Sequence, residues 1–348
     1  MRQPPRPKVP MSPVAALRRI CFLLERARAS HYRVDALRRT LETIRLIPEA
    51  ELRERARSGT LKQLKGVGDT SAAIITEALR GEVPRYLAAV EGEHGDESAW
   101  EGGELHAALV GDLHVHSNWS DGGSPIEEMV LTAVELGQEW LALTDHSPRL
   151  TVANGLSRER LEQQLIRVDA INAGVAGSFR LLTGIEADIN LDGTLDQDDD
   201  LLGRLDVVTA SVHSKLRQPS FELTPRMLAA VRNPRTNVLG HCTGRLVTGG
   251  RGTRPPSTFD AEQVFRACRE HDVAVEINSR PERCDPPDEL VELARDLGCL
   301  FAIDSDAHAP GQLDLKHLGC RRAEQLGIPA ERVVTTWPVQ DVLAWTGG

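Results

Sequence analysis

Short apolar segments that end on a histidine or a carboxylate recur along the chain from residue 108 onward. They alternate with stretches whose apolar residues have helical spacing. Nine side chains of types that bind metal ions lie in this region, most of them where an apolar segment ends: His114, His116, Asp121, His146, Glu186, His213, His241, Asp306 and His308. The carboxyl ends of parallel strands share one face, so we expect these side chains to converge. The pattern predicts a polynuclear metal site across the mouth of a barrel.

The alternation of segments predicts an α/β fold with a mostly parallel sheet. Candidate strands are residues 108–114, 140–144, 180–186, 206–213, 237–241, 274–278 and 300–304. The candidate helices between them are residues 126–136, 158–173, 225–231, 261–271 and 288–297. Seven such units favour a closed or nearly closed (β/α)7 barrel over an open sheet.

The charge of the chain is distributed unevenly. Its 348 residues carry a formal net charge of −10, yet residues 1–90 contain 18 Lys and Arg against 9 Asp and Glu, a balance of +9. The remaining 23 basic and 42 acidic residues give −19. A basic region on an acidic body suits nucleic-acid binding, because phosphate contacts supply most nonspecific affinity. A solvated helical face rich in arginine is an equally good explanation of the charge alone.

The basic region has the periodicity of a small helical domain. Helices are predicted over residues 14–24, 35–44, 49–57 and 70–79. The last of these follows a short helix that begins at residue 61 and a Gly66-Val67-Gly68 turn flanked by Lys62 and Lys65. This arrangement predicts a helix-hairpin-helix whose backbone N–H groups hold a DNA phosphate. A plain turn, in which the glycines only supply positive φ, is the alternative.

These patterns divide the chain into four parts. We expect a disordered tail over residues 1–10, a helical DNA-binding domain over 11–90, an acidic linker over 91–107 and a metal-binding barrel domain over 108–348. Six scattered cysteines without a C-x-x-C pair argue against a disulfide framework. The sequence also has no apolar signal segment and no apolar run of membrane-spanning length. We therefore expect a cytoplasmic location and no association with a membrane.

Four sequence blocks carry a resemblance to a known family. They are His114-x-His116 with Ser120-Asp121-Gly122, Thr144-Asp145-His146, Gly184-x-Glu186 with Ser211-Val212-His213, and Asp306-Ala307-His308. The set resembles the polymerase and histidinol phosphatase (PHP) family of metal-dependent phosphoesterases. The resemblance implies a distorted seven-stranded TIM-like barrel that binds three divalent ions, Zn²⁺ or Mn²⁺ with Fe as an alternative. It also implies that the nine side chains named above are the ligands.

Within that family the chain is similar to the PHP domain of bacterial family X DNA polymerases. The stretches 240–245 and 276–285 are similar to blocks of that domain, and residues 31–39 resemble its N-terminal helix-hairpin-helix. No polymerase core is expected between the two regions, because only the short linker separates them. Two positions depart from the pattern. Cys242 stands where the family has proline, and Ile74 stands where related domains have a Schiff-base lysine, so lyase activity is not expected.

The resemblance and the basic region together predict hydrolysis of DNA phosphate esters by a metal-bound hydroxide. The activity would be of the 3'-5' exonuclease, 3'-phosphatase or abasic-site endonuclease type. Single-stranded or gapped DNA, 3' ends, and replication or repair proteins are the expected partners. The alternatives are a small-molecule phosphatase, for example one acting on histidinol phosphate, and a noncatalytic DNA-binding scaffold.

Five further side chains are catalytic candidates. Asp145 adjoins the ligand His146 and is expected to accept its second ring proton or to support the ligands. A second group consists of cations that follow strand ends, where they could neutralise the attacked phosphate: Lys215, Arg245, Arg280 and Arg283.

Overall fold

The computed structural model describes residues 11–95, 102–175, 177, 179–250 and 252–347. The chain divides into a helical unit of residues 2–100 with 310–312, and a sheet unit of residues 101–309 with 313–348. The predicted tail, residues 1–10, lies outside the described residues. Both ends of the predicted linker are helical, because residues 91–94 complete one helix and residues 103–107 belong to the next. Its middle, residues 96–101, also lies outside the described residues.

The helical unit consists of five helices: α1 (Pro13–Arg26), α2 (His31–Ile44), α3 (Glu49–Ser58), α4 (Asp69–Leu79) and α5 (Arg85–His94). The first four confirm the periodicity of the sequence, whereas α5 was not predicted. Helix α1 begins where the Ser12 hydroxyl accepts a hydrogen bond from the Ala15 amide at 3.1 Å, which satisfies one of the free N–H groups of the first turn. Leu17, Ile20 and Leu24 are fully buried at helical spacing.

The turn before α4 is compact. The predicted short helix is a single 3₁₀ turn (Leu61–Gln63). Gly66 has a φ of +80°, and a Cβ there would lie 3.2 Å from the Cβ of Arg39. From α2, the Thr40 hydroxyl donates to the carbonyl of Gly66 at 2.7 Å and the Thr43 hydroxyl donates to that of Lys65 at 2.8 Å. The turn is therefore held to the helical core by its carbonyl groups.

The sheet unit contains six parallel strands in sequential order: β1 (Trp140–Leu143), β2 (Arg180–Asp188), β3 (Val207–Ser211), β4 (Val238–Leu239), β5 (Ala274–Asn278) and β6 (Phe301–Asp304). Its helices are α6 (Gly103–Ala108), α7 (Ile126–Glu135), α8 (Arg158–Gly174), α9 (Asp199–Leu202), α10 (Ser220–Val231), α11 (Ala261–Glu270), α12 (Asp288–Asp296), α13 (Lys316–Gln325) and α14 (Val339–Thr346). The α/β class and the parallel sheet are as predicted. Helices α6, α9, α13 and α14 were not.

The first predicted strand, residues 108–114, is wrong. Helix α6 ends at Ala108, and the segment that follows makes scattered backbone hydrogen bonds with β1 and isolated parallel bridges of Val115 with Leu143 and with Ala307, but no continuous strand pairing. The physical reason is that buried carboxylates accept hydrogen bonds from backbone amides of this segment, which are then unavailable for pairing with a neighbouring strand. The Leu113 amide donates to Asp304 Oδ1 at 2.8 Å, and the His114 amide donates to Asp112 Oδ1 at 3.2 Å. The segment lies between β1 and β6 without being a regular strand.

One helix begins earlier than expected. We predicted a start at Pro225, since proline favours the first helical turn, but α10 begins five residues before it, with Pro219 as N-cap. Pro225 is therefore an interior residue.

The strands are buried on both faces, as expected of a parallel sheet covered by helices. Every residue of β1, β3, β5 and β6 is buried. Within the described part of the chain, no helix combines the length and apolar character needed to traverse a lipid bilayer.

Candidate metal centre

The metal-binding side chains lie at the carboxyl end of the sheet. Glu186 lies two residues before the end of β2, and His213 and His241 each lie two residues beyond β3 and β4. Since all six strands run in parallel, these ends share one face of the sheet unit. His114 and His116 reach the same place from the irregular segment between β1 and β6.

Glu186 is at the middle of the cluster. Its carboxylate is almost completely buried and is surrounded by five imidazoles. Oε1 lies 2.9 Å from His241 Nε2, 3.2 Å from His213 Nε2 and 3.3 Å from His114 Nε2. Oε2 lies 2.7 Å from His146 Nδ1 and 3.7 Å from His116 Nε2. One carboxylate therefore faces five imidazoles from four separate segments of the chain.

The remaining candidates complete the open end of the cluster. Asp121 Oδ1 lies 3.4 Å from His308 Nε2 and 3.5 Å from His146 Nε2. Asp306 Oδ1 lies 3.5 Å from His116 Nε2. Asp121 is exposed and His308 is half-buried, so this end of the cluster faces solvent. The structure thus brings all nine predicted side chains together.

The donor atoms fit divalent ions. Among the described residues, ligand atoms within 4.8 Å of one another form three groups: His116 with Asp121, His146 and His308; His114 with His116 and Glu186; and His146 with Glu186 and His213. Both oxygens of Glu186, His114 Nε2 and both ring nitrogens of His116 are buried without a hydrogen-bond partner. Buried polar atoms left unpaired cost free energy, which ion binding would recover. Imidazole with carboxylate suits Zn²⁺, Mn²⁺ and Fe²⁺ alike.

The electrostatics of the cluster also favour a cation. Burial opposes charge in the cluster and lowers the pKa of His116 and of His241, whereas attraction between opposite charges outweighs burial at three other members. The Glu186 and Glu276 carboxylates hold the pKa of His114 well above its usual value, and Glu186 with Asp188 raises that of His213 to about 9. The same imidazoles hold the pKa of Glu186 well below its usual range. Without an ion the cluster therefore retains protons, which a metal would displace.

Glu276 of β5 orients two of the ligands, and the sequence reasoning missed it. One oxygen lies 2.5 Å from His114 Nδ1, and the other accepts the backbone N–H of His241 at 2.5 Å. A proton on His114 Nδ1 leaves Nε2, the atom facing Glu186, free to bind an ion. The signal was present in the sequence. Glu276 and Asn278 are polar residues two apart in a fully buried strand, so they share a face.

Of the two roles predicted for Asp145, acceptance of the second ring proton of His146 is not seen in the structure. Its carboxylate accepts hydrogen bonds from the backbone and hydroxyl of Ser117, at 2.8 and 2.6 Å, from the Ser120 hydroxyl at 2.5 Å and from Gln164 at 2.7 Å. None of these bonds comes from the ring of His146. Asp145 instead fixes the loop that presents Asp121, which makes it a positioning residue.

The four predicted cations differ in their surroundings. Arg283 Nε donates to Asp306 Oδ2 at 3.1 Å, and Arg280 Nη1 lies 3.1 Å from His308 Nδ1, so both support ligands. Arg245 donates to the backbone carbonyls of Arg283 and Cys284 and therefore stabilises the loop that contains these two residues. Lys215 is exposed, and its ammonium makes no hydrogen bond or ion pair with any residue the structure describes.

The predicted DNA-binding residues lie together in the hairpin of the helical unit. Gly66 and Gly68 are exposed, and their N–H groups donate to no atom among the described residues. Val67 is buried and its N–H donates to the Leu64 carbonyl at 3.2 Å, so this N–H is already bonded within the turn. Lys62 forms an exposed ion pair with Asp69 at 2.7 Å, whereas Lys65 is exposed without such a pair.

Comparisons with known proteins agree with this geometry. Residues 112–280 match the family described as "PHP domain". The chain is 39% identical over 237 residues to the DNA polymerase/3'-5' exonuclease PolX of Bacillus subtilis, a match that covers 68% of this chain and 41% of PolX. It is 28% identical over 244 residues to a probable phosphatase of Vibrio parahaemolyticus, covering 66% of this chain and 90% of that relative.

One solved structure is similar at lower identity. It is the histidinol phosphate phosphatase of Lactococcus lactis in complex with zinc, L-histidinol and phosphate. It gives a TM-score of 0.48 and 19% identity, covering 64% of this chain and 95% of that one.

Proposed function

Because the chain belongs to the PHP family of metal-dependent phosphoesterases, we propose that it hydrolyses phosphate esters of DNA. The activity would be that of a 3'-5' exonuclease, a 3'-phosphatase or an abasic-site endonuclease. The observation that carries the proposal is the cluster around Glu186, whose unpaired buried donor atoms call for several divalent ions. The choice of DNA is supported by the 39% identity to PolX and by the exposed hairpin of the basic helical unit.

The side chains of the centre have separable roles. Seven of the nine candidates make up the three ligand groups, each of which would hold one ion of zinc, manganese or iron, and His241 and Asp306 lie beside these groups. Divalent ions in such a site lower the pKa of bound water and neutralise phosphate oxygens. Glu276 fixes the ring orientation of His114, and Arg283 together with Asn278 holds Asp306 Oδ2, each at 3.1 Å. Lys215 would neutralise the attacked phosphate, since its ammonium has no partner in the described structure.

The hairpin would hold DNA through its backbone. The free N–H groups of Gly66 and Gly68 can donate to a phosphate, and Lys65 adds charge beside them. This contact reads no base, so it suits a protein that acts on DNA of any sequence.

Two glycine substitutions test the hairpin. A Cβ at Gly68 meets nothing within 4 Å and the φ there is −97°, so Gly68→Ala should fold at a cost of about 0.5–1 kcal/mol as an N-cap change. The added methyl would obstruct a phosphate, and DNA affinity by fluorescence anisotropy should fall about tenfold. Gly92→Ala in α5, where a Cβ also meets nothing, is the matched control and should bind DNA like the wild type. Equal affinity of all three proteins would exclude the hairpin from DNA binding.

The function itself is tested by offering substrates in parallel. Protein loaded with Mn²⁺ or Zn²⁺ is given 3'-labelled single-stranded DNA, an abasic duplex and histidinol phosphate. We expect cleavage of one or both DNA substrates, its loss in His114→Ala, and wild-type rates in His271→Ala, which replaces an exposed histidine at the end of α11. Turnover of histidinol phosphate alone would replace the DNA proposal with a small-molecule phosphatase. No turnover of any substrate would leave a noncatalytic scaffold.

The small-molecule phosphatase is favoured by one observation. The Vibrio relative, whose name is probable phosphatase, is matched over 90% of its length by 66% of this chain. Most of a protein of that kind therefore corresponds to about two thirds of this chain.

A further inference from the structure

The loop between β3 and α10 carries three exposed side chains close to a ligand. Lys215 and Arg217 follow His213 by two and four residues, and neither side chain has a hydrogen bond or ion pair with any described residue. Phe221, in the first turn of α10, is 78% exposed. Two residues of extended chain span at most about 7 Å and four span about 14 Å, so Lys215 and Arg217 remain beside the metal centre. Phe221 follows in α10, directly after the turn in which the Gln218 amide donates to the Lys215 carbonyl.

The loop is held in place, so the exposure of these side chains is a fixed feature. The guanidinium of Arg226 is buried and donates at 2.9 Å to the Ser214 carbonyl and at 2.9 Å to Gln218 Oε1, one on each side of the exposed cations. Leu216, between the two cations, packs against the core of the sheet unit. Its carbonyl accepts a hydrogen bond from the Ser257 hydroxyl at 2.7 Å.

The backbone of the loop is also strained. Lys215 has a φ of +55°, a conformation that costs a residue with a Cβ roughly 1 kcal/mol or more. The turn closes with the Gln218 amide donating to the Lys215 carbonyl at 2.9 Å. Strain of this kind persists where surrounding contacts enforce it, and here those contacts come from Arg226 and Ser257.

The charges of the loop indicate the kind of ligand. The chain beyond residue 90 carries −19, so a polyanion approaching the metal centre is repelled unless local cations compensate. A small phosphate monoester needs one such cation beside the metal ions. Two unpaired cations in succession suit a ligand with successive phosphates, and an exposed aromatic ring beside them suits a nucleobase of any identity.

We propose that this loop is a subsite for the nucleotide next to the attacked phosphate. Arg217 binds the neighbouring phosphate and Phe221 stacks on the base, while Lys215 serves the attacked phosphate itself. The subsite rests on the proposed DNA function and adds to it a preference for polynucleotides that carry bases. It also explains sequence-independent use of DNA, since stacking tolerates every base.

The test compares two substrates and two pairs of variants. The substrates are a short oligothymidylate and an oligomer of the same length with abasic nucleotides. Phe221→Ala should lower kcat/KM about tenfold on oligothymidylate and less than about twofold on the abasic oligomer, because the latter has no base to stack. Arg217→Ala should lower kcat/KM on both and reduce the slope of log(kcat/KM) against log salt by about 0.7, the value for one phosphate of a single strand.

Matched controls are available at exposed positions elsewhere in the sheet unit. Ile166→Ala removes a side chain of α8 that is 70% exposed, and Arg232→Ala removes an exposed cation at the opposite end of α10. Both should retain wild-type kinetics on both substrates.

Each outcome decides between the two proposals. If the wild type cleaves oligothymidylate and Phe221→Ala and Arg217→Ala match their controls, the subsite is wrong and the DNA function stands. If Phe221→Ala loses activity equally on both substrates, the ring does not stack on a base and this assignment fails. If the wild type cleaves neither oligomer but hydrolyses histidinol phosphate, the proposed function fails, and the subsite fails with it.

Discussion

The substitution Glu276→Gln is expected to weaken metal binding without removing a ligand. One carboxylate oxygen lies 2.5 Å from His114 Nδ1, and the other accepts hydrogen bonds from the His241 N–H at 2.5 Å and from Asn278 Nδ2 at 3.2 Å. Glutamine has nearly the same shape but only one acceptor oxygen. Its amide nitrogen must therefore point at a donor, either the ring of His114 or the backbone of His241.

The size of the effect follows from those contacts. Loss of a partner that orients a metal-ligating histidine typically lowers metal affinity by about 10- to 100-fold, which corresponds to about 1.4–2.8 kcal/mol. We expect Glu276→Gln to fall in this range, since one of its two short contacts is lost and the negative charge beside two ligands disappears. The affinity should fall without loss of the whole centre, because Glu186 and the other candidate ligands are unchanged.

The measurement is competition for Zn²⁺ with a chromophoric chelator, together with urea unfolding of the metal-free protein. Glu262→Gln is the matched control, because Glu262 is exposed and pairs only with Arg266 one helical turn away. It should change metal affinity by less than about twofold. A folded Glu276→Gln protein with wild-type zinc affinity would refute the assignment of Glu276 as the group that orients His114.

Three further predictions concern the scaffold of the sheet unit. Asp145→Asn should cost about 1–3 kcal/mol in urea unfolding, because an amide nitrogen would face a buried donor; an unchanged midpoint would contradict this. Burial holds the pKa of His106 at about 4, so protons bind the unfolded state first and stability should fall from pH 6.5 towards pH 4. In His106→Gln, the loss of unfolding free energy between pH 6.5 and pH 4 should be smaller by about 1–2 kcal/mol. The same profile of stability against pH in the variant and the wild type would contradict this. Gly111→Ala should destabilise strongly, because its Cβ would lie 2.0 Å from the Trp140 ring, whereas Gly174→Ala should be tolerated in the same thermal melts.

The convergence of the candidate ligands could be predicted because it depends on local sequence and one general rule. His213 and His241 follow β3 and β4, and parallel strands deliver their carboxyl ends to one face. In any parallel sheet such residues lie along the same edge, and here β3 and β4 are also neighbours in the sheet. The apolar runs themselves were recognisable because every residue of strands such as β5 is buried.

Features that depend on distant partners were not predictable. Residues 108–114 have the composition of a strand, but Asp304, some 190 positions away, takes the amide of Leu113 that a ladder would use. Asp145 adjoins His146 in sequence, yet its partners come from the loop at Ser117 and from Gln164 of α8. A neighbour in sequence was a poor guide to a neighbour in space here, because adjacent residues of an extended segment point in opposite directions.

The central claim is that the cluster around Glu186 holds several divalent ions, and metal content tests it most directly. Protein dialysed against buffered Zn²⁺ or Mn²⁺ is assayed by inductively coupled plasma mass spectrometry. We predict about one ion for each of the three ligand groups in the wild type and a clear loss in Glu186→Ala, the residue shared by two groups. Fewer than one ion per chain in the wild type, or the same content in both proteins, would contradict the account.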